Sequence, residues 1–265
     1  MDQAEQTPKS NPEPKRRRGI YLLPNLFTTA GLFAGFYAII AAMSGRFEAA
    51  AVAIFLAMIM DGIDGRVARL TNTQSDFGVE YDSLSDMVCF GVAPPLVVFA
   101  WSIGGVVDKG PVWYKAVWLA AFIYTACAAL RLARFNTHVE DQDKRYFTGL
   151  PSPSAAGVLA GLVWLSVDHG IDGNEIWGVG FLLAAIMGML MVSNFRYYSF
   201  KEVDFKNRVP FFALFIVVFV FVVISTDPPS VLFSGFVMYA LSGPLTALYG
   251  LSKARKEKKV KNANL

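Results

Sequence analysis

The chain has 265 residues, of which 54% are hydrophobic and only 17% charged, with a formal net charge of +3. Windows near the ~20 residues that span a bilayer recur along it, which excludes a soluble globular domain and favours an all-α integral membrane protein. Two cysteines and the absence of a low-complexity insert exclude a disulfide scaffold, and the composition suggests no nucleic-acid partner.

Residues 1–19 are polar, proline-containing and basic through Lys15-Arg16-Arg17-Arg18. With no small-residue cleavage site after a short apolar core, they read as a cytoplasmic tail and not as a removable signal peptide. About eight transmembrane helices are predicted next, near 22–43, 47–70, 79–102, 113–135, 153–168, 177–196, 210–226 and 230–250. The membrane domain is expected over 20–251 and a second basic tail over 252–265, where Lys253 to Lys259 suits anionic headgroups or a solvated tail equally well. Of the 24 Lys and Arg, all but Arg46, Lys109 and Lys115 fall in the tails, beside the 71–78 turn, or in 131–145 and 196–208. Positive charge therefore predicts both termini in the cytoplasm. Trp101, Trp113, Trp164 and Trp177 fall near helix ends on the charge-poor side, as an interface belt requires. Cys89 and Cys127 lie within predicted spans and take small apolar roles. His138 and His169 lie in polar loops without ligand spacing.

The chemistry-bearing signal is the run Asp61-Gly62-Ile63-Asp64-Gly65-Arg66-Val67-Ala68-Arg69, followed by Gly78, Asp82 and Asp86. Ionisable groups at membrane depth are expensive, so four together mark a functional site. Spacings of three and four place Asp61 with Asp64, and Asp82 with Asp86, on single helical faces. Thr71 to Gly78 is polar and ends in glycine, which predicts a turn between two antiparallel helices and brings all four acids together. Four carboxylates in a low dielectric repel unless a cation compensates them, and oxygen donors suit Mg²⁺, Mn²⁺ or Ca²⁺. A pair of divalent ions held this way most often acts on phosphate. Gly62 and Gly65 clear side chains from the stripe beside the acids, either for a bulky ligand or for close helix packing. At ~1.5 Å per residue, Asp64 lies about 9 Å and Asp61 about 14 Å from Leu70, so the site opens toward the cytoplasm.

The pattern filled by Asp61, Asp64, Gly65, Ala68, Arg69, Gly78, Asp82 and Asp86 resembles the signature of the CDP-alcohol phosphatidyltransferases. Leu23 to Thr28, Ser83 to Pro95 and Phe147 to Pro153 resemble its membrane-integral phosphatidylserine synthases, and the likeness extends over roughly residues 18–225. It implies that Asp61, Asp64 and Asp82 ligate two Mg²⁺ or Mn²⁺ ions, with Asp82 bridging. Asp86 would touch the second ion and act as general base. It further implies that Asn25, Thr28, Gly65, Arg69 and Ser75 surround the donor, CDP-diacylglycerol. The implied reaction is direct attack by the hydroxyl of L-serine, giving phosphatidylserine and CMP without a covalent enzyme intermediate. A homodimer among membrane lipids is implied as well.

The acceptor is less sharply drawn. Arg131, Arg134 and Asn136, followed by Lys144 and Arg145, lie on the cytoplasmic side and suit a carboxylate, but they also suit an acceptor phosphate, as in glycerol 3-phosphate or inositol phosphate, or ordinary positive-inside charge. Resemblance favours serine, since Met87 stands where many glycerophosphate-transferring relatives have lysine. A cation-coupled transporter would also carry intramembrane acids, but helices five to eight hold no second copy of the cluster. A membrane scaffold explains the spans and leaves the aligned acids unexplained.

Overall fold

The structure, a computed structural model, describes residues 22–137, 146–199 and 211–263. All eight predicted apolar segments are helical: α1 (Leu22–Met43), α2 (Phe47–Leu70), a long interrupted helix, then α6 (Pro111–Thr137), α7 (Ser152–Asp168), α8 (Trp177–Val192), α9 (Phe211–Thr226) and α10 (Pro228–Ala263). The interrupted helix is built from α3 (Asp76–Asp86), a π-helical segment (Met87–Val92) and α4 (Ala93–Ser102), and a single turn, α5 (Gly104–Val107), follows it. Among the described residues, four stretches are long and apolar enough to cross a membrane: Leu23–Met43, Asp76–Ser102, Pro111–Thr137 and Pro228–Tyr249. α2 is long enough but carries Glu48, two aspartates and two arginines, while α7, α8 and α9 have 17, 16 and 16 residues.

Several boundaries differ from expectation for local reasons. The turn after α2 is shorter than predicted: Asn72 takes a left-handed φ of 50°, and Ser75 caps α3 by accepting the Gly78 N–H at 3.1 Å. Helix α8 stops at Val192, because Ser193 turns extended and the chain enters β2 (Arg196–Tyr198), which pairs antiparallel with β1 (Tyr146–Thr148). This small ribbon was not expected. Gly149 closes it at φ +81°, its N–H on Phe195 O at 2.8 Å and its Cα against the carbonyls of Met191 and Ser193, where a side chain has no room. Helix α10 runs through the predicted C-terminal tail as far as Ala263. Trp101, placed at the interface by sequence, is buried and covers Gly173, whereas Trp113 packs edge-on against Trp177 at 5.5 Å with Lys109 over that ring.

Helix α7 occupies the centre. Ala155 to Val163 are all buried, and its small residues admit close neighbours, with the Phe236 ring against Gly157 and Phe233 against Gly161. Pro244 lies inside α10 and cannot donate to the carbonyl of Ala240 four residues back. The Tyr197 hydroxyl donates to that carbonyl at 3.0 Å, and burial pushes this hydroxyl up to about 12. Asp227, just before α10, is held below the usual carboxylate range by the Ser230 side chain and by its N–H.

Candidate active site

Helix α1 is the frame of the site. It packs along α2 more extensively than any other pair of elements and also touches α3 and the π segment, while α2 and α3 meet each other little. The two acid-bearing helices are therefore registered through α1. On one side, Thr28 Oγ1 donates to Asp64 Oδ2 at 2.7 Å, and both residues are buried. On the other, Ser85 Oγ donates to Thr28 O at 3.3 Å and Cys89 Sγ donates to Gly31 O at 3.2 Å. Thr29 and Tyr81 share a further hydroxyl contact at 2.9 Å. A Cβ on Gly35 would stand 2.6 Å from Cys89 Sγ, so glycine and cysteine are what let α1 approach the π segment.

In this frame, carboxylate oxygens of Asp61, Asp64 and Asp82 lie within 4.8 Å of one another. Asp86 lines the same cleft, together with Thr28, Gly31, Ala57, Ser85, Cys89 and Phe90. Its carboxyl lies within reach of the charges of Asp61, Asp82 and Asp64, and of Arg131. Three hard, converging oxygen donors, one oriented by a threonine, fit a divalent cation.

The other expected residues separate into groups. Asn25, Ser75 and Gly78 gather at the mouth of the hairpin, where a Cβ on Gly78 would lie 3.2 Å from Ser75 Oγ and 3.6 Å from Asn25 Oδ1. Gly62 and Gly65 face open space, with nothing within 4 Å of an added Cβ. That geometry argues against packing on another helix of the same chain as the reason for these glycines. Arg69 is exposed and folds back, donating from Nε to Gly65 O at 2.9 Å. Arg131 reaches inward, donating to Ser152 Oγ at 3.0 Å, with its Nε buried and without a hydrogen-bond partner. Arg134 instead donates to Asn194 Oδ1 at 3.2 Å on the exposed side, and Asn136 bonds Ser83 at 3.1 Å. The structure thus turns Arg131 inward to Ser152 and leads Arg134 to the exposed side. Lys144, Arg145 and His138 lie outside the described residues. His169 is exposed and faces Leu165 O, and both cysteines are free thiols.

Sequence reasoning did not single out Ser85, Ser152 or the link from Thr28 to Asp64. Ser85 carries a signal in retrospect, standing four residues before Cys89 on the face that meets α1.

Comparison with known proteins gives a consistent result. Residues 21–191, which hold all four acids, match the family model for CDP-alcohol phosphatidyltransferase. The chain is similar to a CDP-diacylglycerol–serine O-phosphatidyltransferase of Helicobacter pylori strain J99, 40% identical over 204 residues, 76% of this chain and 80% of that protein. Its counterpart in Helicobacter pylori strain 26695 is 36% identical over 237 residues, 88% of this chain and 94% of that one. A Mycobacterium bovis protein of the same description is 36% identical over 190 residues, 68% and 63% of the two chains.

Proposed function

The chain belongs to the CDP-alcohol phosphatidyltransferase family, and from that premise we propose that it is a CDP-diacylglycerol–serine O-phosphatidyltransferase. It is a membrane enzyme of phospholipid synthesis. The observation that carries the site assignment is the convergence of Asp61, Asp64 and Asp82 in one cleft with Asp86.

In this reading Asp61, Asp64 and Asp82 hold Mg²⁺ or Mn²⁺, in a pair of ions to which Asp86 contributes. When bound, the cations neutralise the diphosphate and the departing CMP. Asp86 accepts the proton of the serine hydroxyl as its oxygen bonds to the lipid-side phosphorus, and the bond from that phosphorus to CMP breaks. The open space beside Gly62 and Gly65 supports their role as the bed of the donor nucleotide, with Asn25 and Ser75 at its rim. Arg69, which folds back onto Gly65 O, turns in this reading to a donor phosphate, whose oxygens match its fork of N–H groups. Arg131, whose buried Nε has no partner, supports a serine carboxylate subsite beside Asp86.

The reading extends to eight spans, both termini in the cytoplasm, an active site opening to that side of the cell membrane, and a homodimer. The distribution of positive charge supports the orientation.

The direct test is CMP release by purified protein in CDP-diacylglycerol micelles with Mg²⁺ or Mn²⁺, offering L-serine, glycerol 3-phosphate and inositol phosphate in parallel. Release with serine alone is expected, abolished by chelation and reduced at least about 100-fold in Asp86→Asn. Release with only a phosphorylated acceptor would overturn the substrate while keeping the family.

A further inference from the structure

Immediately beyond Asp86 the helix changes from α to π, and two consecutive prolines, Pro94 and Pro95, follow. An α-type bond to Phe90 O would come from residue 94 and a π-type bond from residue 95, and neither has an N–H. The α-type donor to Gly91 O would likewise be Pro95. Phe90 is fully buried, so water does not replace the missing donors. Helix α6 answers them with side chains: Tyr124 Oη donates to Phe90 O at 3.0 Å, and Thr125 Oγ1 lies 3.0 Å from Gly91 O, sharing its one proton between that carbonyl and Ala121 O at 3.1 Å. Tyr124 is itself completely buried. The approach is close enough that a Cβ on Gly91 would lie 3.2 Å from that of Ala128.

The same helix grips the acid-bearing helix on the other side of Asp86, where Asn136 bonds Ser83. Asp86 is thus suspended between two attachments to α6, one at the proline break and one three residues before it. Arg131 projects from the stretch of α6 between them and donates to Ser152 Oγ.

We propose that Tyr124 and Thr125 are positioning residues for the reaction: their hydroxyls hold the proline break open and thereby fix the angle at which α3 presents Asp82 and Asp86 to Asp61 and Asp64. The proposal rests on the reading of these acids as the reacting centre. Neither hydroxyl touches substrate, so the effect is carried by the geometry of the carboxylates.

The test uses the full-length protein in detergent as wild type, Tyr124→Phe, Thr125→Val and Thr125→Ser. Mn²⁺ binding by titration calorimetry, turnover of CDP-diacylglycerol with serine, and thermal unfolding are measured on each. Tyr124→Phe and Thr125→Val are expected to weaken Mn²⁺ binding about tenfold and to lower kcat about tenfold. KM for CDP-diacylglycerol stays unchanged, and Thr125→Ser restores both quantities. If the folded variants bind Mn²⁺ and turn over like wild type while only the unfolding temperature drops, the hydroxyls merely stabilise the fold and the proposal fails. Wild type that binds Mn²⁺ but ignores serine would overturn the acceptor reading while the calorimetry still decides the positioning role. Wild type that binds no Mn²⁺ would overturn both.

Discussion

Thr28 shows how a single residue ties two acid-bearing helices to a third. Its hydroxyl orients Asp64, and its carbonyl receives Ser85, the neighbour of Asp86. Removing the hydroxyl while keeping the shape, as in Thr28→Val, is expected to raise the metal concentration for half-maximal CMP release about tenfold, with expression unchanged. Gly65 makes the opposite kind of contribution, by leaving space. Gly65→Leu fills the opening beside the acids without meeting another helix, so the variant folds, binds Mn²⁺ like wild type and shows at least about a tenfold higher KM for CDP-diacylglycerol. The acids were legible in the sequence because spacings of three and four report a helical face without tertiary information. The Thr28–Asp64 bond was not, because it joins residues 36 apart on different helices and depends on how those helices pack. Arg131 and Arg134 were indistinguishable by position alone, and only their places on α6 separate the one that donates inward to Ser152 from the one that donates to Asn194 on the exposed side.

At the level of elements, apolar runs located every long helix, since length and hydrophobicity decide them. The π segment escaped detection because an added residue in a helical turn leaves the apolar run intact, although Pro94-Pro95 inside that run was a visible warning of a break. The ribbon of β1 and β2 escaped because strands of three residues carry no measurable alternation. Its contribution is nonetheless specific: Tyr197 supplies the hydrogen bond that Pro244 denies to Ala240. Tyr197→Phe leaves that carbonyl unsatisfied and is expected to destabilise the protein by about 1–3 kcal/mol, read as a lower unfolding temperature in detergent. The companion change Pro244→Ala, which returns an N–H to α10, should recover part of the loss.

For the whole molecule, composition alone identified a membrane protein, and four long apolar helices agree. The shorter helices are where composition runs out. At ~1.5 Å per residue, a 16-residue helix measures about 24 Å, short of a ~30 Å hydrocarbon core unless flanking residues or the bilayer adjust. Side of exposure decides the topology experimentally. In a variant with Cys89 and Cys127 replaced, a cysteine at Asn72 is expected to react with an impermeant maleimide only in inside-out vesicles, and one at Gly45 only in right-side-out vesicles. Labelling of both from the same side would contradict the charge-based orientation.

The proline break also constrains biogenesis. Phe90 leaves the ribosome 34 residues ahead of Tyr124. At roughly 5–20 residues per second, its carbonyl waits about two to seven seconds for the hydroxyl that will satisfy it. Lipid offers no substitute donor, so the nascent α4 is not a finished span when it is made. It is expected to linger at the translocon or near headgroup water until α6 arrives, which would make the acid-bearing helix a late event in the maturation of a chain whose signature is complete by residue 86.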